Sequence, residues 1–120
     1  MTGGQFDPRA FFALAQSLSA AGQPEAHYRT AVSRAYYACF RVARLALERG
    51  GRWRAGTTNA HQAVINELRR RNRHHLAARL AALKGIGEEA DYTLDSPFSE
   101  QRCGEAMVTA TELLRLLDRF

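Results

Sequence analysis

The segment Pro24–Gly51, with the sequence PEAHYRTAVSRAYYACFRVARLALERGG, decides the fold of this chain. From Val32 onward its apolar residues recur at offsets of 0, 3, 4, 7, 8, 11, 14 and 15, which is the spacing of one face of an α-helix. Those residues are Val32, Ala35, Tyr36, Cys39, Phe40, Ala43, Ala46 and Leu47. Pro24 suits the first turn of a helix, and the two glycines at the other end suit a stop. The segment predicts a central helix about 40 Å long.

Helix signals also occur on both sides of this segment. Asp7, followed by a proline, predicts the start of a first helix, which Gly22 closes. Residues 50–58 contain three glycines and are typical of a loop. Asn59, or the threonine before it, then caps a third helix. The side chains that we expect on the inner face of this third helix are His61, Val64, Ile65 and Leu68.

The second half of the chain has two more helical patterns. The apolar face of a fourth helix is marked by Leu76, Leu80 and Leu83. This helix is predicted to stop at Gly85, before a glycine-rich, acidic bend that reaches Pro97, and Ser99 caps a last helix. Because no segment alternates as a strand does, the sequence predicts an all-α, up-and-down helical bundle of four or five helices. We expect one domain over residues 1–120, with residues 1–6 flexible.

The composition is that of a globular protein without a membrane span. The chain has 46% hydrophobic and 24% charged residues, and no apolar run approaches the roughly 18 residues that a span needs. Its first residues lack the basic start and apolar stretch of a signal peptide. Cys39 and Cys103 lie within apolar helical patterns, so we expect buried free thiols and a cytoplasmic protein. Because no metal-ligand spacing or phosphate-binding loop occurs, we expect no metal and no cofactor.

The net charge of +5 admits nucleic acid or an acidic protein as a partner. Residues 25–84 carry 13 basic and 3 acidic side chains, whereas residues 85–120 carry 3 basic and 8 acidic ones. Almost all of the cations are arginine, which binds phosphate through two parallel hydrogen bonds. The charge distribution admits a phosphate-bearing partner on the first part of the chain, although a GC-rich coding bias also favours arginine.

A polar stripe lies beside the apolar face of the central helix. Its members are His27, Arg34, Tyr37, Arg41 and Arg44, at offsets of 0, 7, 10, 14 and 17. Arginines interleaved with a tyrosine suit phosphate contacts next to a stacking platform, so the three arginines and the tyrosine are predicted RNA contacts. The alternative is a solvated helix face on which Arg34 pairs with a carboxylate of the acidic C-terminal region.

The run from Arg69 to His75 is the densest charge feature of the sequence. As a nucleic-acid patch it contributes Arg69, Arg70, Arg71, Arg73, His74 and His75. Its imidazoles also permit acid–base chemistry, because histidine titrates near neutral pH. The alternative is a solvated helix end, with the cations near the negative C-terminal pole of the third helix.

Three further residues are candidates for catalysis together with Arg34. His61 lies on an apolar helix face, where the alternative is a structural histidine held by hydrogen bonds. Asp91 and Tyr92 follow the predicted bend, where a carboxylate and a phenol can meet the arginine stripe. The alternative there is a tyrosine that faces the core beside an aspartate that caps a short turn.

The stretch Arg29–Phe40, RTAVSRAYYACF, resembles the signature helix of the HEPN family, whose name abbreviates higher eukaryotes and prokaryotes nucleotide-binding. His61 matches a histidine that opens the third helix in many members of that family. The segment Leu83–Tyr92, which ends in Ala-Asp-Tyr, resembles an element of its small stand-alone prokaryotic members. The resemblance extends over nearly the whole chain, from Asp7 to Phe120.

This resemblance implies a helical bundle that dimerises. Catalytic members of the family are metal-independent endoribonucleases that use an arginine and a histidine, and many are toxins encoded beside a minimal nucleotidyltransferase antitoxin. Here Gly87 and Glu88 stand where the family element has Arg-Asn, and Tyr92 stands near the position of the histidine. The resemblance therefore implies a degenerate catalytic motif.

Three functions are consistent with these observations. The favoured one is a HEPN-like homodimer that binds RNA or a nucleotide within a toxin–antitoxin or defence-type system. The second is an active metal-independent endoribonuclease whose altered site uses Arg34, His61, Asp91 and Tyr92. The third is a non-catalytic interaction module that partners a nucleotidyltransferase-type antitoxin.

Overall fold

The structure is a computed structural model and describes residues 5–120. This part of the chain contains five helices and no strand. They are α1 (Arg9–Leu18), α2 (Glu25–Glu48), α3 (Ala60–Arg70), α4 (His74–Tyr92) and α5 (Glu100–Leu117). The predicted all-α helical bundle is confirmed. Residues 1–6 are expected to be flexible, and the first four of them lie outside the part of the chain that the structure describes. None of the described helices is long and apolar enough to cross a lipid bilayer.

The central helix predicted from the sequence is α2, which packs against all four other helices. Its predicted apolar face is buried, except that Tyr36 is half-buried. Pro24 and Gly50 lie just outside its two ends, as expected, and Gly50 has a positive φ of 93°. The cysteines are buried free thiols, also as expected, and burial raises the pKa of Cys39 to about 12.

The first helix begins as predicted but ends earlier. The Asp7 carboxylate accepts a hydrogen bond of 2.9 Å from the Arg9 amide, which caps α1. The predicted closure at Gly22 is wrong, because α1 already ends at Leu18. Gly22 instead supplies a φ of +75° in the turn that follows, and the Tyr28 hydroxyl holds this turn by donating to the Ala20 carbonyl.

The loop between α2 and α3 returns the chain along α2. Glu48 holds this loop against the end of α2, because the Glu48 carboxylate accepts a hydrogen bond of 3.0 Å from the Ala55 amide. At the start of α3, the His61 ring lies against Phe40. Just past the end of α3, the Arg71 side chain donates a hydrogen bond to the Leu47 carbonyl. The third helix therefore follows α2 in the same direction, and its start lies beside the middle of α2.

The predicted end of the fourth helix at Gly85 is wrong. The helix continues for seven more residues to Tyr92, and the expected glycine-rich bend is its last two turns. The apolar face continues through Ile86 and Ala90, which are both buried, and this packing outweighs a helix penalty of about 1 kcal/mol for each glycine. Gly87 is itself buried against the Tyr36 ring.

The last helix begins at its predicted cap, where the Ser99 hydroxyl accepts a hydrogen bond of 3.0 Å from the Arg102 amide. Contacts between side chains show which helix ends lie together. At one end of the bundle, the Arg71 side chain bonds the last turn of α2, and Arg73 lies over the Phe120 ring. At the other end, Arg102 bonds Glu89 near the C-terminus of α4.

Candidate functional site

A cavity of about 300 Å³ lies between α2, the start of α3 and the last turns of α4. The four residues predicted as catalytic candidates all line this cavity: Arg34, His61, Asp91 and Tyr92. Tyr37, a predicted RNA contact, lines it as well. Gly87 and four polar neighbours complete the wall, namely Ser33, Tyr36, Lys84 and Glu88. The fold thus brings together residues from three separate parts of the sequence.

The guanidinium of Arg34 lies over two aromatic rings. It is 5.6 Å from the centre of the Phe11 ring and 5.1 Å from the centre of the Tyr37 ring. No carboxylate among residues 5–120 lies within 4.0 Å of it, in contrast to the alternative in which Arg34 pairs with the acidic C-terminal region. Within the described part of the chain, its guanidinium makes one side-chain hydrogen bond, a long one of 3.5 Å to the Ser33 hydroxyl. Most of its donors therefore remain available to a ligand.

His61 is held on the opposite side of the cavity by aromatic neighbours. Its ring stacks on Phe40 with centroids 3.9 Å apart, and its Nδ1 shares a hydrogen bond of 2.5 Å with the Tyr36 hydroxyl. Burial lowers the pKa of His61, and the nearby cation of Lys84 lowers it further. Burial also raises the pKa of Tyr36. Both groups are therefore uncharged at neutral pH.

The last turn of α4 presents Asp91 and Tyr92 at the mouth of the cavity. One carboxylate oxygen of Asp91 accepts a hydrogen bond of 3.2 Å from the Ser33 hydroxyl. The Tyr92 ring is 80% exposed and does not face the core. The alternative interpretation of these two residues, a core tyrosine beside a turn-capping aspartate, does not match this arrangement.

The two remaining arginines of the predicted stripe differ from each other. Arg41 is half-buried near Tyr37 and has no carboxylate within 4.0 Å among residues 5–120. Arg44 pairs with Glu48 at 3.1 Å and donates to the Gly56 carbonyl, so it holds the α2–α3 loop. The stripe therefore supplies the cavity region with Arg34, Tyr37 and Arg41, while Arg44 has structural partners.

The basic run from Arg69 to His75 forms the turn between α3 and α4, away from the cavity. Along α4, His74 and Asp91 are about 25 Å apart. Arg70 and Arg71 both pair with Glu67, whose side chain is only 5% exposed. Of the predicted contacts in this run only Arg71 is half-buried; Arg69, Arg70, Arg73, His74 and His75 are exposed.

The pair of arginines stabilises a buried charge rather than leaving two free cations. Hydrogen bonds from Arg70 and Arg71 lower the pKa of Glu67 to about 2. Arg71 also donates to the Leu47 carbonyl at 3.0 Å, which ties the turn to the end of α2. For Arg70 and Arg71, these contacts fit the alternative interpretation, in which the run is the end of a helix.

Sequence reasoning missed Lys84 and Glu88 because it ended α4 at Gly85. In the continuous helix, Lys84, Glu88 and Asp91 are separated by four and three residues and share one face. Lys84 and Glu88 pair at 3.5 Å on this face. The same spacing was visible in the sequence and would have placed both residues beside Asp91 once the helix was continued.

The cavity has the chemistry of a polar ligand site. No group of three His, Cys, Asp or Glu side chains in the described chain is placed to hold a metal ion. In comparisons with known proteins, no family model, no curated protein and no solved structure matches this chain. Arg34 and Lys84 supply cations, Glu88 and Asp91 supply acceptors, and Tyr92 supplies an exposed ring.

Proposed function

We propose that this cavity binds RNA or a nucleotide, and that the protein is a HEPN-like homodimer with a degenerate catalytic motif, part of a toxin–antitoxin or defence-type system. The observation that carries the proposal is Arg34, an arginine without a carboxylate partner in residues 5–120, held over two aromatic rings at the cavity. A guanidinium fixed in this way offers paired N–H groups to a phosphate. The resemblance of Arg29–Phe40 to the HEPN signature helix supports the same ligand class.

The neighbours of Arg34 suit the rest of a nucleotide. An exposed ring such as that of Tyr92 stacks on a base, and stacking contributes about 1–3 kcal/mol per base. Glu88 and Asp91 accept hydrogen bonds, so they suit ribose hydroxyls or base amino groups and not the phosphate itself. Cation, ring and acceptor together favour a nucleotide over a simple anion.

The experiment that tests this proposal is fluorescence anisotropy with a labelled single-stranded RNA of 12 nucleotides and a labelled mononucleotide. We expect affinity that falls steeply as salt rises, because bound phosphates release counterions. Arg34→Ala is expected to weaken binding about tenfold, the loss of a charge-assisted hydrogen bond. Absence of binding to both probes overturns the proposal.

Arg115→Ala is the matched control for Arg34→Ala. Arg115 is an exposed arginine of α5 that lines a different surface, with Gln16 and Val108, and its removal changes the net charge equally. We expect Arg115→Ala to bind as the parent does. If both variants lose affinity equally, net charge and not this cavity determines binding.

A metal-independent endoribonuclease is the second candidate, favoured by the uncharged imidazole of His61 in the same cavity as Arg34. An uncharged imidazole accepts or relays a proton while a guanidinium stabilises charge on the phosphate. The test is incubation of total cellular RNA with the protein and EDTA. Discrete cleavage that persists in EDTA and is lost in both His61→Gln and Arg34→Ala supports this activity. Intact RNA excludes it.

A further inference from the structure

Two more cavities continue the site along α2 toward its C-terminal end. The second has a volume of about 440 Å³, shares Tyr37 with the first, and is lined by Phe6, Phe11 and Arg41. The third, of about 190 Å³, shares Leu45 with the second and ends at Arg49. We call the three together the α1/α2 groove, because the start of α1 and the residues before it form the wall that faces α2 in the second and third cavities.

A row of arginines follows this groove. Arg34, Arg41 and Arg49 are seven and eight residues apart, which corresponds to steps of about 11–12 Å along the helix. None of the three has a carboxylate within 4.0 Å in residues 5–120. Two aspartates line the third cavity with Arg49. Asp118 is neutralised by its ion pair with Arg9, and the Asp7 carboxylate caps α1, where the positive N-terminal pole of the helix offsets part of its charge.

Aromatic rings lie between Arg34 and Arg41 in the groove. Tyr37 and Phe11 meet edge to face with centroids 5.2 Å apart, and Phe6 lies 5.1 Å from Phe11. Phe6 is 63% exposed and Leu45 is 47% exposed, so this apolar surface is not part of the core. Cations that alternate with accessible rings are typical of grooves that bind single-stranded nucleic acid.

The charges at the two ends of the bundle give the groove a direction. Around its far end, residues 49–54 and 69–73 contain seven arginines and no carboxylate. Residues 85–105, beside the cavity, contain six carboxylates and one arginine. A polyanion that leaves the cavity is therefore attracted toward Arg49 and repelled from the C-terminal end of α4.

We propose that the α1/α2 groove binds a single strand of RNA, which runs from the cavity past Arg41 to Arg49. This inference rests on the proposed function and selects a strand over a mononucleotide as the ligand. The distance along α2 from Arg34 to Arg49, just past its end, is about 22 Å, which corresponds to about six nucleotides at the spacing of about 3.4 Å that one strand of a stacked duplex has. RNA is favoured over DNA because the Asp91 carboxylate, oriented by Ser33, accepts a hydrogen bond from a 2′-hydroxyl.

The test is the affinity for labelled oligouridylates of 2, 4, 6, 8 and 12 nucleotides over a range of salt concentrations. We expect affinity to rise up to about six nucleotides and then to level off. Arg41→Ala and Arg49→Ala are each expected to reduce the slope of log K against log salt by about 0.7 for the longer strands. Neither variant is expected to alter dinucleotide binding, whereas Arg34→Ala weakens every length.

The outcomes distinguish the groove from the cavity. Affinity that depends on Arg34 but not on length overturns the groove and leaves the proposed function standing. If the parent protein binds no strand of any length, both the groove and the proposed function are overturned. Equal affinity for deoxyuridine strands, or an Asp91→Ala variant that keeps the preference for RNA, overturns the choice of RNA.

A second copy of this chain is the competing occupant of the groove. Phe6 and Arg41 lie in the wall of the groove; Phe6 is exposed and Arg41 is half-buried. Sedimentation equilibrium measures whether Phe6→Ser and Arg41→Ala change the oligomeric state. We expect both variants to weaken binding of the 8-nucleotide strand without changing the mass of the protein. A change of mass with unaltered RNA affinity shows an interface between copies and overturns the proposal.

Discussion

The guanidinium of Arg29 on α2 donates a hydrogen bond of 2.9 Å to the main-chain carbonyl of Ala90, in the last turn of α4. The same side chain donates to the carbonyls of Thr93 and Ser96 and lies over the Phe98 ring. The C-terminal turn of α4 has no basic residue of its own, so Arg29 supplies the positive charge that the helix end favours. Because Asp91 follows Ala90, this contact also positions the mouth of the cavity.

Replacement of Arg29 by alanine is expected to lower the free energy of unfolding by about 2–3 kcal/mol, since it leaves several carbonyls without a charged donor. The side chain of Arg29 is only 13% exposed, so solvent replaces it poorly. Arg29→Lys is expected to recover only part of the loss, because an ammonium cannot reach carbonyls in two directions. Hydrogen exchange of amides 90–96 measures the local effect, and urea unfolding measures the total.

The control for Arg29 is Arg79→Ala, which removes an exposed ion pair with Glu112. An exposed pair of this kind contributes about 0.5 kcal/mol. Unchanged exchange at amides 90–96 in Arg29→Ala contradicts the role assigned to this residue.

Acid is expected to destabilise the protein through Glu67. Its pKa is lowered from 4.5 to about 2 in the folded state, so its contribution to stability is complete above pH 4.5 and is lost as the pH falls toward 2. Glu67→Gln is expected to lower the free energy of unfolding by about 2 kcal/mol at pH 7, because two arginines lose their charged acceptor. Urea titrations at pH 7, 4.5 and 2.5 check this, and the variant loses less stability on acidification than the parent. An identical loss in both contradicts it.

His61 is expected to make the protein less stable at mildly acidic pH. Its pKa lies below 6.5 in the folded state, mainly because of burial, so protonation favours the unfolded chain. The contribution of the uncharged imidazole is present above pH 6.5 and decreases as the pH falls below that value. The measurements are the melting temperature between pH 7.5 and 5 and the imidazole titration by NMR. His61→Gln is expected to flatten the dependence over this range, and an unchanged slope argues against it.

Gly85 offers a gain in stability. It lies inside α4, and a Cβ added there meets no atom within 4 Å. Gly85→Ala is therefore expected to raise the free energy of unfolding by about 1 kcal/mol. Gly50→Ala is the contrasting variant: its Cβ is equally unobstructed, but a φ of +93° makes alanine unfavourable there, so stability falls. Thermal melts of the two variants are expected to shift in opposite directions.

The sequence predicts α2 and α5 well because each has a regular apolar spacing and a clear start. For α2 the core face runs from Val32 to Leu47, and for α5 the Ser99 cap is followed by apolar residues on one side. In both helices the local signals and the tertiary packing agree.

The end of α4 was not predictable from local rules. Two glycines lower the intrinsic helix propensity around Gly85, and only packing of Ile86 and Ala90 in the core keeps the helix continuous. The same error concealed the positions of Lys84 and Glu88 in the cavity. Helix propensity is a weak effect, and contacts with distant residues override it.

The basic run shows a second limit of sequence reasoning. The four arginines between Arg69 and Arg73 look equivalent in the sequence, yet Arg70 and Arg71 pair with Glu67, whereas Arg69 and Arg73 pair with no carboxylate in residues 5–120. Which cations are paired depends on side-chain geometry, which a charge pattern does not contain. The cavity candidates Arg34 and His61 were found because each stands out from an otherwise regular helix face.

The opposite charges at the two ends of the bundle bear on how fast the protein meets its ligand. A basic pole around residues 49–75 and an acidic pole around residues 85–105 give the molecule an electric dipole along its length. In the field of a polyanion such a molecule rotates before contact, so that more collisions begin with the basic pole. Association is then accelerated at low ionic strength and slows as salt screens the field, while the dissociation rate, set by close contacts, changes less.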